Sequence, residues 1–259
     1  MLKLKSQFST TGMRLRKPIF LLMLAVLVAS SATMAVAESG GGTISGTVHL
    51  VGAPPDIPTV LPQMNFDTCG STARPTQSLL LGSNQTVRNV IVYLTGYAQN
   101  NVSTGTNNAV IIDQQDCEFV PRIQIARSGV PLILKSSDPI LHVVRIDLMS
   151  STNGSRTLLK TATPYAGYEK LYQLANFREP TLLQITSGNG HEWMAAYIAI
   201  LPHPWAALTD ENGRFTLHNV PAGTHRIYAW HEALGTLVHD VHVNGEGSTT
   251  ADFQFSTAH

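Results

Sequence analysis

From residue 43 to its end the chain consists of short runs in which apolar and polar residues alternate, each closed by Gly, Pro or Asn. A period of two is what a strand with one buried face requires, because successive side chains leave a strand on opposite sides. The first run is Thr43-Ile44-Ser45-Gly46-Thr47-Val48-His49-Leu50-Val51, stopped by Gly52-Ala53-Pro54-Pro55. Runs rich in Val and Ile follow at 87–94, 109–112, 122–126, 131–135 and 141–147. After them Asp210-Glu211-Asn212-Gly213 and Asn219-Val220-Pro221-Ala222-Gly223 read as tight turns, each opening into a further alternating run. Many short strands at regular spacing predict an all-β sandwich or barrel. Helical spacing is found only weakly, over 165–176, and the polar stretch 96–108 reads as a long surface loop.

The chain before residue 38 has another character. It carries Lys3, Lys5, Arg14, Arg16 and Lys17, no acidic residue before Glu38, an apolar run over 19–29, and then Ala35-Val36-Ala37. A basic segment, an apolar stretch too short for a permanent span, and small residues at the peptidase positions form an export signal. Cleavage after Ala37 is expected, leaving 222 of the 259 residues, enough for one large or two small cores. The expected location is the periplasm or the medium, and no later apolar run is long enough for a transmembrane anchor. Five of the 17 basic residues and none of the 17 acidic ones leave with the signal, so 12 stand against 17 and the formal charge becomes −5. That charge argues against nucleic acid as a partner and leaves a periplasmic or outer-membrane protein as the expected kind.

The only cysteines, Cys69 and Cys117, follow the signal. In an oxidising compartment an even pair suits one disulfide, and a metal thiolate is the alternative use for either sulfur. The chain after the signal holds no Gly-x-Ser-x-Gly elbow, no His-Glu-x-x-His helix and no phosphate-cradling glycine loop. Acidic residues are few and scattered, so a non-enzymatic role is expected.

Two stretches resemble known modules. Thr209-Asp210-Glu211-Asn212-Gly213-Arg214-Phe215, with Asn219-Val220-Pro221-Ala222-Gly223 and the Ile44-Ser45-Gly46-Thr47-Val48 strand, is similar to the carboxypeptidase regulatory-like, or transthyretin-like, β-sandwich. Asp138-Pro139-Ile140-Leu141-His142-Val143-Val144 and Gly188-Asn189-Gly190-His191-Glu192-Trp193-Met194 resemble the strand end and the ligand loop of a cupredoxin. Together the two modules are similar to secreted bacterial proteins of the plastocyanin-like or methylamine-utilisation type. The resemblance implies a cupredoxin-like Greek-key sandwich combined with a transthyretin-like one. The expected parts are a signal over 1–37, an N-terminal β region over 38–116, a cupredoxin-like region over 117–201 and a transthyretin-like region over 202–259.

The resemblance also implies copper, with His142, His191 and Met194 as ligands and Glu192 adjacent. One position departs from the family pattern: three residues before the loop histidine, where the thiolate belongs, stands Gly188. A blue-copper centre depends on that sulfur, so holding or transferring copper is expected here in place of type 1 electron transfer. The alternative is a metal-free structural, adhesion or carbohydrate-binding sandwich that uses Tyr97, Tyr165, Tyr168 and Tyr172. A second polar cluster, His203-Pro204-Trp205 with Trp230-His231-Glu232, is expected to seal an interface between sheets.

Overall fold

A computed structural model describes residues 40–97, 109–149 and 154–257. The expected export signal lies outside the described residues, as does most of the 96–108 loop. Among the described residues no helix is long and apolar enough to cross a membrane.

The chain is all-β. Its first part holds β1 (Gly42–Val51), β2 (Thr59–Val60), a single helical turn α1 (Phe66–Cys69), β3 (Arg74–Pro75) and β4 (Ile91–Leu94). Next come β5 (Val110–Gln115), β6 (Glu118–Val120), β7 (Ile123–Arg127), β8 (Leu132–Ser136), β9 (His142–Met149), β10 (Arg156–Thr163) and β11 (Tyr168–Tyr172). β12 (Thr181–Gly188), β13 (Ala195–Leu201), β14 (Ala206–Leu208) and β15 (Arg214–Val220) continue the chain. It closes with β16 (Gly223–His231), β17 (Gly235–Val243), β18 (Ser248–Thr250) and β19 (Phe253–Ser256). The stretch 165–176, whose spacing is weakly helical, instead holds β11, which pairs antiparallel with β8 from Tyr168 opposite Ser136 to Tyr172 opposite Leu132. Pairing along a strand edge overrides a faint helical period in so short a segment.

Strands from the two ends of the described chain form one sandwich. β1 lies between β15 and the β18–β19 segment, and these face a sheet ordered β14-β4-β16-β17. Ile44, Val48 and Leu50 of β1 point inward with Val92, Leu94, Ile227, Phe253 and Phe255, all but excluded from solvent. β1 pairs with β18 up to Ser45 and with β19 from Val48. At the crossing between them a Cβ on Gly46 would meet the Ala251 carbonyl oxygen at 2.0 Å, so only glycine lets the two backbones approach. The Thr209-Asp210 pair of the motif has a structural reason. Thr209 Oγ1 donates to the Val87 carbonyl and accepts from the Val90 N–H, while the Asp210 carboxylate accepts from Asn212 and Arg214 N–H and fixes the turn.

The middle of the chain forms a second sandwich, with sheets ordered β10-β9-β12-β13-β7 and β11-β8-β5-β6. Its core holds Ile112, Leu132, Leu134, Val144, Ile146, Leu183, Ile185 and Ile198. The boundary expected between 116 and 117 falls in the turn of the β5–β6 hairpin, and β5 also pairs with β8. The described chain therefore enters the middle sandwich with β5 and leaves it after β13. A third apolar cluster, Ile91, Ile123, Tyr197 and Ala199 with Tyr93, Leu182 and Trp230, joins strands of both sandwiches.

Candidate metal centre

Alternation along β9 turns His142, Val144 and Ile146 toward the core. His142 is fully buried, and its Nε2 is paired with Asp138 Oδ2 at 2.8 Å. The Asp138 carboxylate also accepts backbone N–H bonds from Asp116 at 2.7 Å and Cys117 at 3.1 Å. These two residues are the turn of the β5–β6 hairpin, both at positive φ (53° and 58°), the conformation a two-residue turn needs. One carboxylate thus fixes a histidine ring and the turn that carries a cysteine. Burial alone would raise the Asp138 pKa. The His142 hydrogen bond, the Cys117 N–H, the His142 charge and the Asp116 N–H outweigh it and hold the carboxyl below its usual range.

His191 sits in the β12–β13 connection, fully buried, with its ring centroid 4.7 Å from that of His142. Its Nε2 lies 3.1 Å from the side-chain amide of Asn65, the residue that opens α1. A half-turn of that amide lets its oxygen accept from Nε2–H. Burial first, and then the neighbouring His142, push the His191 pKa down; the Gly188 carbonyl, Glu192 and Asp138 act against them without prevailing. Met194 is fully buried in the same core, and its N–H donates to the His191 carbonyl at 3.0 Å. Trp193 packs edge-on against His191 and donates from Nε1 to the Cys117 carbonyl at 3.0 Å. Glu192 turns away from the imidazoles: it is exposed, and its carboxylate accepts from the Gly190 N–H on its own loop.

Cys69, at the end of α1, is disulfide-bonded to Cys117. Both sulfurs lie within 4.8 Å of a His191 ring nitrogen, and Cys117 Sγ lies within 4.8 Å of a His142 ring nitrogen and an Asp138 carboxylate oxygen. The disulfide expected from the cysteine count is therefore part of the wall of the histidine site. Asp138 and Asn65, which bond the two rings, are not among the candidate ligands expected from sequence. Asp138 stands four residues before His142 in the very run that marks the strand end, which is the signal that could have found it.

The donor set fits a soft metal ion. Nδ1 of His142 and Nδ1 of His191 are both buried without a hydrogen-bond partner among the described residues. An unpaired buried ring nitrogen costs on the order of 1–3 kcal/mol, and with both Nε2 atoms protonated, which for His191 requires the half-turn of the Asn65 amide, each Nδ1 carries a free lone pair. A proton held on Nε2 by Asp138 leaves Nδ1 of His142 free to ligate, as in carboxylate–histidine–metal triads.

Gly188, where the resemblance would place a thiolate, lies on the outer face of β12 although its carbonyl faces His191. Along β12, Leu183, Ile185 and Ser187 are buried, whereas Gly188 shares the outer face with Thr186 and lines a shallow pocket with Val143, Arg145 and Lys160. Ser187, opposite Val144 in the register, is the β12 residue that faces the His142 side.

The second polar cluster divides. Glu232 forms a two-pronged pair with Arg122 at 2.7 and 2.6 Å, and Trp230 packs on Tyr197 at 5.1 Å, so this half joins strands of both sandwiches. His231 is buried, accepts the Ala233 N–H at Nδ1, and is pushed down to about 4 by burial and then by Arg122. His203 and Trp205 instead stack beside Tyr97, which bonds His225 at 2.6 Å.

No family model matches the chain, and no curated protein does. Among solved structures, a purple cupredoxin from Nitrosopumilus maritimus is similar at 10% identity, covering 35% of this chain and 98% of its own, with a TM-score of 0.28. An amicyanin variant in its reduced state is similar at 11% identity over 42% of this chain and 97% of its own, TM-score 0.28. The copper-containing nitrite reductase of Thermus scotoductus SA-01 is similar at 16% identity over 36% of this chain and 22% of its own, TM-score 0.26.

Proposed function

We propose that this is an exported, non-catalytic protein that holds copper between His142 and His191, with the Met194 thioether as third donor. The observation that carries the reading is the pair of buried, unpartnered Nδ1 atoms on rings 4.7 Å apart. Two imidazoles and a thioether suit Cu(I), and an added water suits Cu(II). His142 is oriented by Asp138 and His191 by Asn65, so the chain's part is to fix both rings and keep bulk water out. Passing the ion to a protein partner outside the cytoplasm accounts for a site built without the electron-transfer thiolate. Of the four tyrosines expected for the adhesive alternative, Tyr165 is exposed while Tyr97, Tyr168 and Tyr172 are half-buried, which favours the metal reading.

The test is a titration of the purified protein with Cu(I) and Cu(II) beside a His142→Ala, His191→Ala double variant. One equivalent of copper on the wild type and none on the variant is expected. Equal weak binding by both proteins would remove the reading.

A further inference from the structure

We infer that the Cys69–Cys117 disulfide is a redox gate on this metal site, and that its reduction converts a two-imidazole site into one ligated by the Cys117 thiolate. The inference rests on the metal reading above and adds its regulation. Cys117 Sγ belongs to two groups of atoms within 4.8 Å of one another among the described residues, one with Cys69 and His191 and the other with Asp138 and His142. Both cysteines are buried, at 1% and 0% exposure, so the sulfurs occupy the interior of the site. The turn holding Cys117 is fixed independently of the disulfide, by two N–H bonds to Asp138 and by the Trp193 bond to its carbonyl. Losing the S–S bond therefore leaves Cys117 in place. Cys69 lies on a single helical turn whose Asn65 touches His191, and the disulfide ties that turn to the β5–β6 hairpin.

The chemistry is a thiol–disulfide exchange. A dithiol reductant gives two electrons and two protons to the S–S bond; two thiols form on the protein and the reductant closes to its own disulfide. A d10 ion such as Cu(I) or Zn(II) then displaces the Cys117 thiol proton to solvent and binds the thiolate with the two imidazoles, a donor set suited to either ion. As a disulfide, the same sulfur is a poor ligand.

The experiment compares air-oxidised protein with protein reduced anaerobically by a dithiol and desalted, each titrated with Zn(II) alone and Cu(I) alone. Alkylation of free thiols is followed before and after loading, and circular dichroism checks the fold. Reduced protein should bind one Zn(II) at least about 100-fold more tightly than oxidised protein, the upper end of what losing a single supporting contact costs a metal site, since here a ligand atom is gained. The metal should protect Cys117 from alkylation. Cys69→Ser should bind in this tight mode without reductant, whereas Cys117→Ser should not reach it under any condition. Reduced and oxidised proteins that bind alike, or two cysteine variants that behave alike, overturn the gate. Failure of the underlying histidine site shows differently, as oxidised wild type that binds no copper.

Discussion

The Arg122–Glu232 pair offers the most exacting test of how the two sandwiches are joined. Arg122 precedes β7 and Glu232 follows β16, so the pair links strands of different sandwiches. Nε and Nη2 bond both carboxylate oxygens at 2.7 and 2.6 Å, Nη1 bonds the Ala195 carbonyl at 3.0 Å, and the side chains are 10% and 7% exposed. Burial alone would lower the Arg122 pKa, but the Glu232 hydrogen bonds and charge, with Glu118 and Tyr197 behind them, raise it instead. Glu232→Leu strands a buried cation and should cost about 3–5 kcal/mol. For a folded chain of this size that corresponds to a fall of about 10 °C in Tm. Arg122→Met with Glu232→Leu removes both charges and should recover most of the loss, because desolvating the pair already offsets most of its attraction. Calorimetry and urea midpoints on the wild type, both single variants and the double variant measure the coupling. A Glu232→Leu variant within about 1 kcal/mol of wild type, or a double variant less stable than Glu232→Leu, would refute the reasoning. Two separate transitions in Glu232→Leu would show that this pair is what makes the sandwiches melt together.

Asp138→Asn keeps a carbonyl oxygen for His142 Nε2–H but cannot serve the two turn N–H groups as well; copper affinity should fall about 10–100-fold by titration, and unaltered affinity would remove Asp138 from the site. His231 and His203 are both pushed down to about 4 from the ordinary 6.5, so the folded state resists their protonation. Stability should then be full above pH 6.5 and decline as pH falls toward 4, by up to about 3 kcal/mol for His231. His231→Asn should remove that share of the slope in urea melts taken at a series of pH values, and an unchanged slope would contradict the assignment. Ser187→Cys should give copper-loaded protein an intense sulfur-to-copper absorption that Gly188→Cys does not give, since residue 188 faces outward; an equal band in both variants would contradict the strand orientation.

The fold was legible where alternation is strong. β1, β9, β16 and β17 each bury every second residue over part or most of their length, and their hydrophobic pattern admits one register. Where packing is weak the signal failed: β11 presents Glu169, Lys170 and Leu171 to solvent, and nothing in its own sequence says that β8 will pair with it. The threading of one sandwich through the other was illegible for a related reason. β1 contacts β18 and β19 across about 200 residues, and local pattern carries no information about a partner that distant.

The site shows the same division between local and distant information. His142 and His191 stand in local motifs, and sequence could name them. The wall they share is built from Asp138, Asn65 and two cysteines, of which only Asp138 is near a histidine in sequence. Gly188 shows what local reading misses. Counting three residues back from the loop histidine assumes that β12 enters the loop with residue 188 facing inward, yet burial of Leu183, Ile185 and Ser187 turns that position outward. The absent thiolate belongs on β12 by that count, while a cysteine already stands among the imidazoles on the β5–β6 turn, locked in a disulfide. A sulfur delivered by a hairpin turn and held in a disulfide would, on the gate proposed above, become available to the imidazoles only when the bond is reduced. On that proposal the sulfur would come from the β5–β6 turn instead of position 188, and the oxidation state of the Cys69–Cys117 bond would set whether the site is thiolate-ligated.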